Sequence, residues 1–310
     1  MSAAGSAQHG EPRRGLHGVL LLDKPGGITS NAALRSVQRL YRAAKAGHTG
    51  TLDPLATGLL PVCFGEATKF SHLLLDAGKT YQARVRLGVT TTTGDLEGEV
   101  TARAPVTATR QDVVSVLRRF VGEIAQLPPM YSAVKLNGQP LYKLARAGRD
   151  VARTPRTVRV EELTLIEFAL PEVELRIACS KGTYIRVLAE EIGRELACGA
   201  CLSALRRTAV GSHTLAAGPV SISELEAMTP RERDALLLAP DALVAALPRF
   251  DLDADQARRI SRGQPLEQTR APVAGLARIY GPDQEFLGLV EVTTAGRVVP
   301  RRLLARPFRG

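Results

Sequence analysis

Twelve consecutive residues, Gly47-His48-Thr49-Gly50-Thr51-Leu52-Asp53-Pro54-Leu55-Ala56-Thr57-Gly58, hold one imidazole, one carboxylate, three glycines and a proline. The glycines admit backbone conformations closed to other residues, and Pro54 restrains the chain just after the carboxylate. The threonines between them can bond to the local backbone. The stretch therefore reads as a structured loop that places Asp53, and a placed carboxylate can serve as a nucleophile. On these residues alone a capping role for Asp53 fits equally well. Arg186 is a candidate cation to keep that carboxylate ionised; taken singly it also fits a surface charge. Tyr81 brings an aromatic face with a polar tip, and taken singly it also fits plain core.

Other chemistries find no support. Gly78-Lys79-Thr80 suggests a phosphate loop, but the glycine required five positions before Gly78 is replaced by Leu73. There is no GxSxG or HExxH sequence, and the five histidines never pair at ligand spacing. Of the cysteines Cys63, Cys179, Cys198 and Cys201, the last two have CxxC spacing without a second pair or a nearby histidine. They read as reduced core cysteines, which implies a cytoplasmic protein. No cofactor and no metal are expected.

Stepping outward, 310 residues suffice for one large domain and a small one. A net charge of +10 favours a polyanionic partner. Nucleic acid fits better than membrane, because no basic helix carries a bulky apolar face and no apolar run approaches a membrane span. Aromatics make up 4% and tryptophan is absent, so an extended base-stacking platform is excluded. Residues 1–14 are small and polar and read as a disordered extension.

The elements that must position these groups are legible in part. Leu16 to Asp23 reads as a buried strand closed by Lys24-Pro25-Gly26-Gly27. Thr29 or Ser30 caps a helix with Leu34, Val37, Leu40 and Tyr41 on one face and Arg35, Arg39 and Arg42 on the other. Thr80 to Leu87 alternates, with Tyr81, Ala83, Val85 and Leu87 inward. A turn-rich connection, Thr90 to Gly98, follows. Thr109 with Asp112 makes a capping box for a helix carrying Val113, Val114, Leu117, Phe120 and Val121. Residues 127–150 mix Pro128-Pro129, Asn137-Gly138 and Pro140 with Lys135, Lys143, Arg146 and Arg149, and with Tyr131 and Tyr142; such basic, aromatic loops suit RNA. Glu172 to Cys179 alternates again. If the segment into Arg186 enters extended, Tyr184 and Arg186 point the same way. A helix with Leu188, Ile192 and Leu196 and then Leu205-Arg206-Arg207 follow. Pro219 to Leu247 reads as helical, and a small all-β domain is expected from Pro248.

These stretches carry a family resemblance. GHTGTLDPLATGLLP (residues 47–61) resembles, nearly residue for residue, the catalytic motif of the bacterial tRNA pseudouridine synthase B family. GVLLLDKPGGITS (18–30), Lys79-Thr80-Tyr81, KGTYIRVLAEEIG (181–193) and Leu205–Thr208 resemble its other motifs, and Pro128–Gly148 its RNA-binding insertion. The resemblance spans about Gly15 to Arg302. It departs at Thr92 and Cys201, where the family often has Asp and a bulky residue.

The resemblance implies an α+β pseudouridine synthase fold with a mixed central sheet. The catalytic domain would span 15–247, with the insertion at about 127–150, and a small PUA-like RNA-binding β domain 248–310. The implied activity is isomerisation of uridine 55 in the T loop of tRNA, by a flipped base and an aspartate, without cofactor or obligatory protein partner. By resemblance Asp53 is the nucleophile, Arg186 its partner, and Tyr81 and Tyr184 hold the base. Leu205 would complete the pocket, His48 would stack where the base has left, and Lys24 and Pro25 would support the substrate site. Two other readings stay open here: an RNA-binding, tRNA-folding protein without catalysis, and a guide-RNA-dependent synthase subunit.

Overall fold

β1 (Gly18–Lys24) is apolar on both faces and starts the core. In the computed structural model, which describes residues 12–132, 134–136, 138–267 and 274–308, α1 (Ser30–Leu40) follows. Thr29 is its cap, its hydroxyl accepting the Ala32 N–H at 3.1 Å. Val37 and Tyr41 turn inward while Arg35 and Arg39 stay exposed, as a 3.6-residue period dictates. β2 (Ala46–His48) and β3 (Thr57–Phe64) then flank the loop that carries Asp53.

Next come α2 (Ser71–Asp76), β4 (Lys79–Leu87), the antiparallel pair β5 (Val89–Thr91) and β6 (Val100–Arg103), α3 (Arg110–Arg119) and β7 (Gly122–Gln126). α3 begins at the expected Thr109–Asp112 capping box, but its buried face is Val113, Val116 and Leu117. Val121 falls past the helix end and is exposed. The insertion holds β8 (Lys135–Leu136), β9 (Gln139–Pro140) and α4 (Leu141–Arg146); Asn137 of the expected turn lies outside the described residues. β10 (Arg156–Ala169), β11 (Glu172–Cys179), α5 (Ile185–Glu195), β12 (Ala200–Val210), β13 (His213–Thr214), β14 (Val220–Ser221), α6 (Ile222–Ala227) and α7 (Pro230–Ala235) complete the main part.

Ten strands make one mixed sheet, ordered β14-β1-β3-β12-β4-β11-β10-β7, with β2 beside β3 and β13 beside β12. The β1–β14 and β3–β12 pairs are parallel and the rest antiparallel. Both faces are covered where β1 runs. Leu20 and Leu22 join the large core with Tyr81, Leu188 and Ile192, whereas Val19 and Leu21 join a second cluster with Phe70 and Phe286. A strand buried on both sides is apolar where both faces are covered, here Val19–Leu22, which is why β1 lacks alternation. β4, covered on one face, alternates cleanly.

Gly58 shows why the loop motif ends in glycine. Its φ is +99°, and a Cβ there would sit 2.3 Å from the Arg207 carbonyl oxygen on β12. Only glycine lets the two parallel strands approach so closely.

Beyond Pro248, β15 (Arg249–Asp251), β16 (Gly275–Tyr280), β17 (Phe286–Val292) and β18 (Val298–Phe308) form a separate four-stranded sheet. Between the first two lies α8 (Ala254–Ser261), capped by Asp253. The expected small β domain thus also carries a helix, started by the capping box of Asp253 and Gln256. The expected extension over 1–14 is shortened as well. Arg14 donates its backbone N–H to the Arg42 carbonyl at 2.7 Å and pairs with Asp234, while residues 1–11 lie outside the described residues.

Candidate active site

Asp53 is held by the backbone on either side of it. The buried Ser30 hydroxyl accepts the Leu52 N–H at 2.8 Å and donates to the Leu52 carbonyl at 2.9 Å. The Gly27 N–H donates to the Pro54 carbonyl at 2.9 Å, and the Asp53 carbonyl accepts the Ala56 N–H at 3.1 Å. Further back, the Thr49 N–H donates to the Pro61 carbonyl at 3.1 Å. The loop is therefore clamped by the N-terminal motif, and its carboxylate cannot wander.

Lys24 belongs to that clamp. It is fully buried and donates to the carbonyls of Pro25 at 2.8 Å, Ile28 at 2.7 Å and Pro54 at 3.4 Å. Burial pushes its ammonium down to about 8. Three carbonyl acceptors draw the Lys24 ammonium inward, where it holds the chain after Asp53. Pro25 is exposed at the turn and lines neither cavity beside Asp53.

Arg186 is 5% exposed and organises the other side. Its Nε donates to Asp53 Oδ2 at 2.9 Å, Nη1 to the Thr93 carbonyl and Nη2 to the Tyr131 carbonyl, both at 2.8 Å. A second carboxylate, Asp95 Oδ2, lies 3.6 Å from the same Nε. Asp95 is buried and is itself held by the Thr93 hydroxyl at 2.5 Å and the Glu97 N–H at 3.1 Å. The sequence reading missed Asp95, although Thr93-Gly94-Asp95 within a tight turn was a signal that the side chain is fixed. Nor is Arg186 extended: it is the second residue of α5, with Tyr184 as the N-cap. Both still line the same cavity, because Tyr184 is the extended N-cap before the helix turns.

That cavity, about 220 Å³, is lined by Asp53, Tyr81, Tyr184, Arg186, Leu205 and Arg207 among others. It adjoins a second space of about 540 Å³ between Asp53, Asn31, Glu97 and Tyr142. Tyr81 is buried, and its burial raises the phenol above its ordinary value. Tyr184 is fixed by Gln126, which accepts its N–H at 3.0 Å and donates to its carbonyl at 3.3 Å. His48 is not among the lining residues. It sits on β2 opposite Val62, its Nδ1 buried without a partner, and burial lowers its proton affinity. A larger cavity of about 640 Å³ lies between the insertion and α5, but it excludes Asp53.

Chemically, the arrangement presents one carboxylate, 39% exposed, to a small cavity with three phenols, those of Tyr81, Tyr131 and Tyr184, and an apolar wall, and backs it with a buried guanidinium. An opposite charge at this distance holds the carboxylate in one orientation, and a carboxylate so placed can serve as a nucleophile. Among the described residues no group of histidine, cysteine, aspartate or glutamate has the geometry of a metal site. The four cysteines are buried and free, and no helix of the described residues is long and apolar enough to cross a membrane.

The sequence profile of the TruB family pseudouridylate synthase N-terminal domain matches residues 38–185, and that of the pseudouridine synthase II TruB C-terminal domain matches 248–304. A tRNA pseudouridine synthase B of Methylobacillus flagellatus is 52% identical over 292 residues, covering 94% of this chain and 96% of its own. One of Burkholderia mallei is 53% identical over 298 residues, covering 94% and 98%. Among solved structures, a chain in the crystal structure of a Cbf5-Nop10-Gar1 complex superposes with a TM-score of 0.71 at 25% identity, covering 94% of this chain and 85% of that one.

Proposed function

This chain belongs to the TruB family of pseudouridylate synthases, and on that premise we propose that it isomerises uridine 55 in the T loop of tRNA to pseudouridine. The N1–C1′ bond breaks, the base turns, C5 joins C1′, and the C5 hydrogen leaves as a proton to solvent while N1 takes one up. Reactant and product have the same atoms and oxidation level, so a nucleophile and a shaped pocket suffice. The observation that carries this reading is the Asp53 carboxylate, open to the cavity and paired at 2.9 Å with a buried Arg186.

In this reading Asp53 attacks the flipped nucleotide and Arg186 keeps it aimed. Tyr81 and Tyr184 hold the base against the Leu205 wall. Extruding a base costs a few kcal/mol, and each aromatic stack returns about 1–3 kcal/mol, so the two tyrosines offset it. His48 fills the gap left in the RNA. Lys24 and Pro25 act on substrate only through the loop they support. The catalytic part is residues 15–247 and the RNA-binding C-terminal part 248–310, with the basic insertion and the arginines of α1 adding phosphate contacts. The buried free cysteines and a tRNA substrate support work in the cytoplasm without an obligatory protein partner.

The test is release of tritium from C5-labelled uridine in a T-arm stem-loop. Wild type is expected to release it stoichiometrically with no added metal or cofactor, and Asp53→Asn to bind the RNA without release. An inert wild type overturns the enzyme; substantial turnover by Asp53→Asn removes Asp53 from its role.

A further inference from the structure

Arg207 is 1% exposed, and among the described residues no carboxylate pairs with it. A buried guanidinium without a counter-charge is strongly unfavourable unless its donors are satisfied. Here Nε donates to the Leu59 carbonyl at 2.8 Å and Nη2 to the Gly50 carbonyl at 3.0 Å. Gly50, at φ +82°, belongs to the loop that carries Asp53, and the Cβ it lacks would stand 3.4 Å from Nη1.

The other neighbour is Tyr81. In the β4–β12 register Arg207 and Tyr81 are directly opposite, so their side chains leave the sheet on the same face, with Cβ atoms about 4.5–5.5 Å apart. Both line the cavity that holds Asp53. Arginine has five N–H donors and no acceptor. A phenol beside it can only accept, and its own proton must point elsewhere. The open direction is the cavity. The adjacent charge also draws the phenol's proton affinity down against the opposing pull of burial.

We propose that Arg207 is a positioning residue for the reaction: it turns the Tyr81 O–H into the cavity toward the base, and through Gly50 ties that phenol to the loop bearing Asp53. The proposal rests on the uridine-isomerase reading above. It gives the otherwise uncompensated charge a purpose, because the cation serves two groups that must keep one relative position.

The test compares wild type, Arg207→Gln and Arg207→Lys in single-turnover tritium release and in RNA affinity. Arg207→Gln is expected to slow release about 100-fold, with the Kd for the T-arm stem-loop within about threefold of wild type. Arg207→Lys, which keeps the charge without the fork, should recover at least about tenfold of the rate. A wild-type rate in Arg207→Gln, or an equal fall in rate and affinity, overturns the proposal. If Arg207→Gln does not fold, Arg207→Lys decides alone: about tenfold slower release at unchanged Kd supports the role, and a wild-type rate overturns it. An inert wild type fails the isomerase reading and this proposal together, whereas an active wild type matched by Arg207→Gln fails this proposal only.

Discussion

Arg186 faces two carboxylates that are not equivalent: the Asp53 side chain is 39% exposed, that of Asp95 5%. The exposed one is free to react, and the buried one, held by Thr93 and the Glu97 N–H, can only orient the arginine. Asp95→Asn should therefore leave the pocket intact and loosen Arg186. Asp95 Oδ2 meets Nε at 3.6 Å as an ion pair without a hydrogen bond, so its loss is expected to lower kcat about 10-fold, about 1.4 kcal/mol in the barrier, with RNA affinity nearly unchanged. Steady-state kinetics beside filter binding checks this. A larger loss of affinity than of kcat would refute an orienting role.

Among the elements, the loop between β2 and β3 is rigid because separate parts of the chain grip its backbone. Ser30 and Lys24 come from the N-terminal motif and Arg207 from β12. Gly58 closes it, where β3 meets β12. Gly58→Ala places a Cβ 2.3 Å from a backbone oxygen at a φ of +99°, forcing the strands apart. A left-handed backbone costs a non-glycine residue about 1–3 kcal/mol, and the overlap adds a similar amount. The variant should melt well below wild type by circular dichroism. An unchanged melting temperature would mean the strands separate freely here.

Over the whole molecule, the C-terminal sheet shares a hydrophobic cluster with the main part. Phe286 packs at 5.4 Å from Phe70 and at 5.5 Å from Tyr280, whose hydroxyl donates to Asp241 at 2.5 Å. Lys69 donates to the Leu303 carbonyl at 3.0 Å. A shared core should make the two parts unfold as one. Truncating a buried phenylalanine costs about 3–5 kcal/mol, so Phe286→Ala is expected to lower a single unfolding transition in calorimetry. Two separated transitions, with only the smaller one shifted, would show that the parts are independent.

What the sequence determined by itself is local. The alternation of β4 and β11, the cap of α1, the capping box of α3 and the glycine-rich setting of Asp53 depend on residues a few positions apart, where period and turn chemistry act directly. The outcomes it could not determine depend on strand order. Asp53 and Arg186 are 133 residues apart, and they meet because α5 follows β11 and leads into β12, which lies between β3 and β4. The same order buries Arg207 opposite Tyr81, and the loop clamp draws Lys24 inward. Asp95 reaches Arg186 from a turn with no periodic signal. Period and propensity describe a chain's relation to its nearest neighbours, whereas a charge inside the molecule is stable only if distant backbone carbonyls arrive to satisfy it, and that is decided by the tertiary fold.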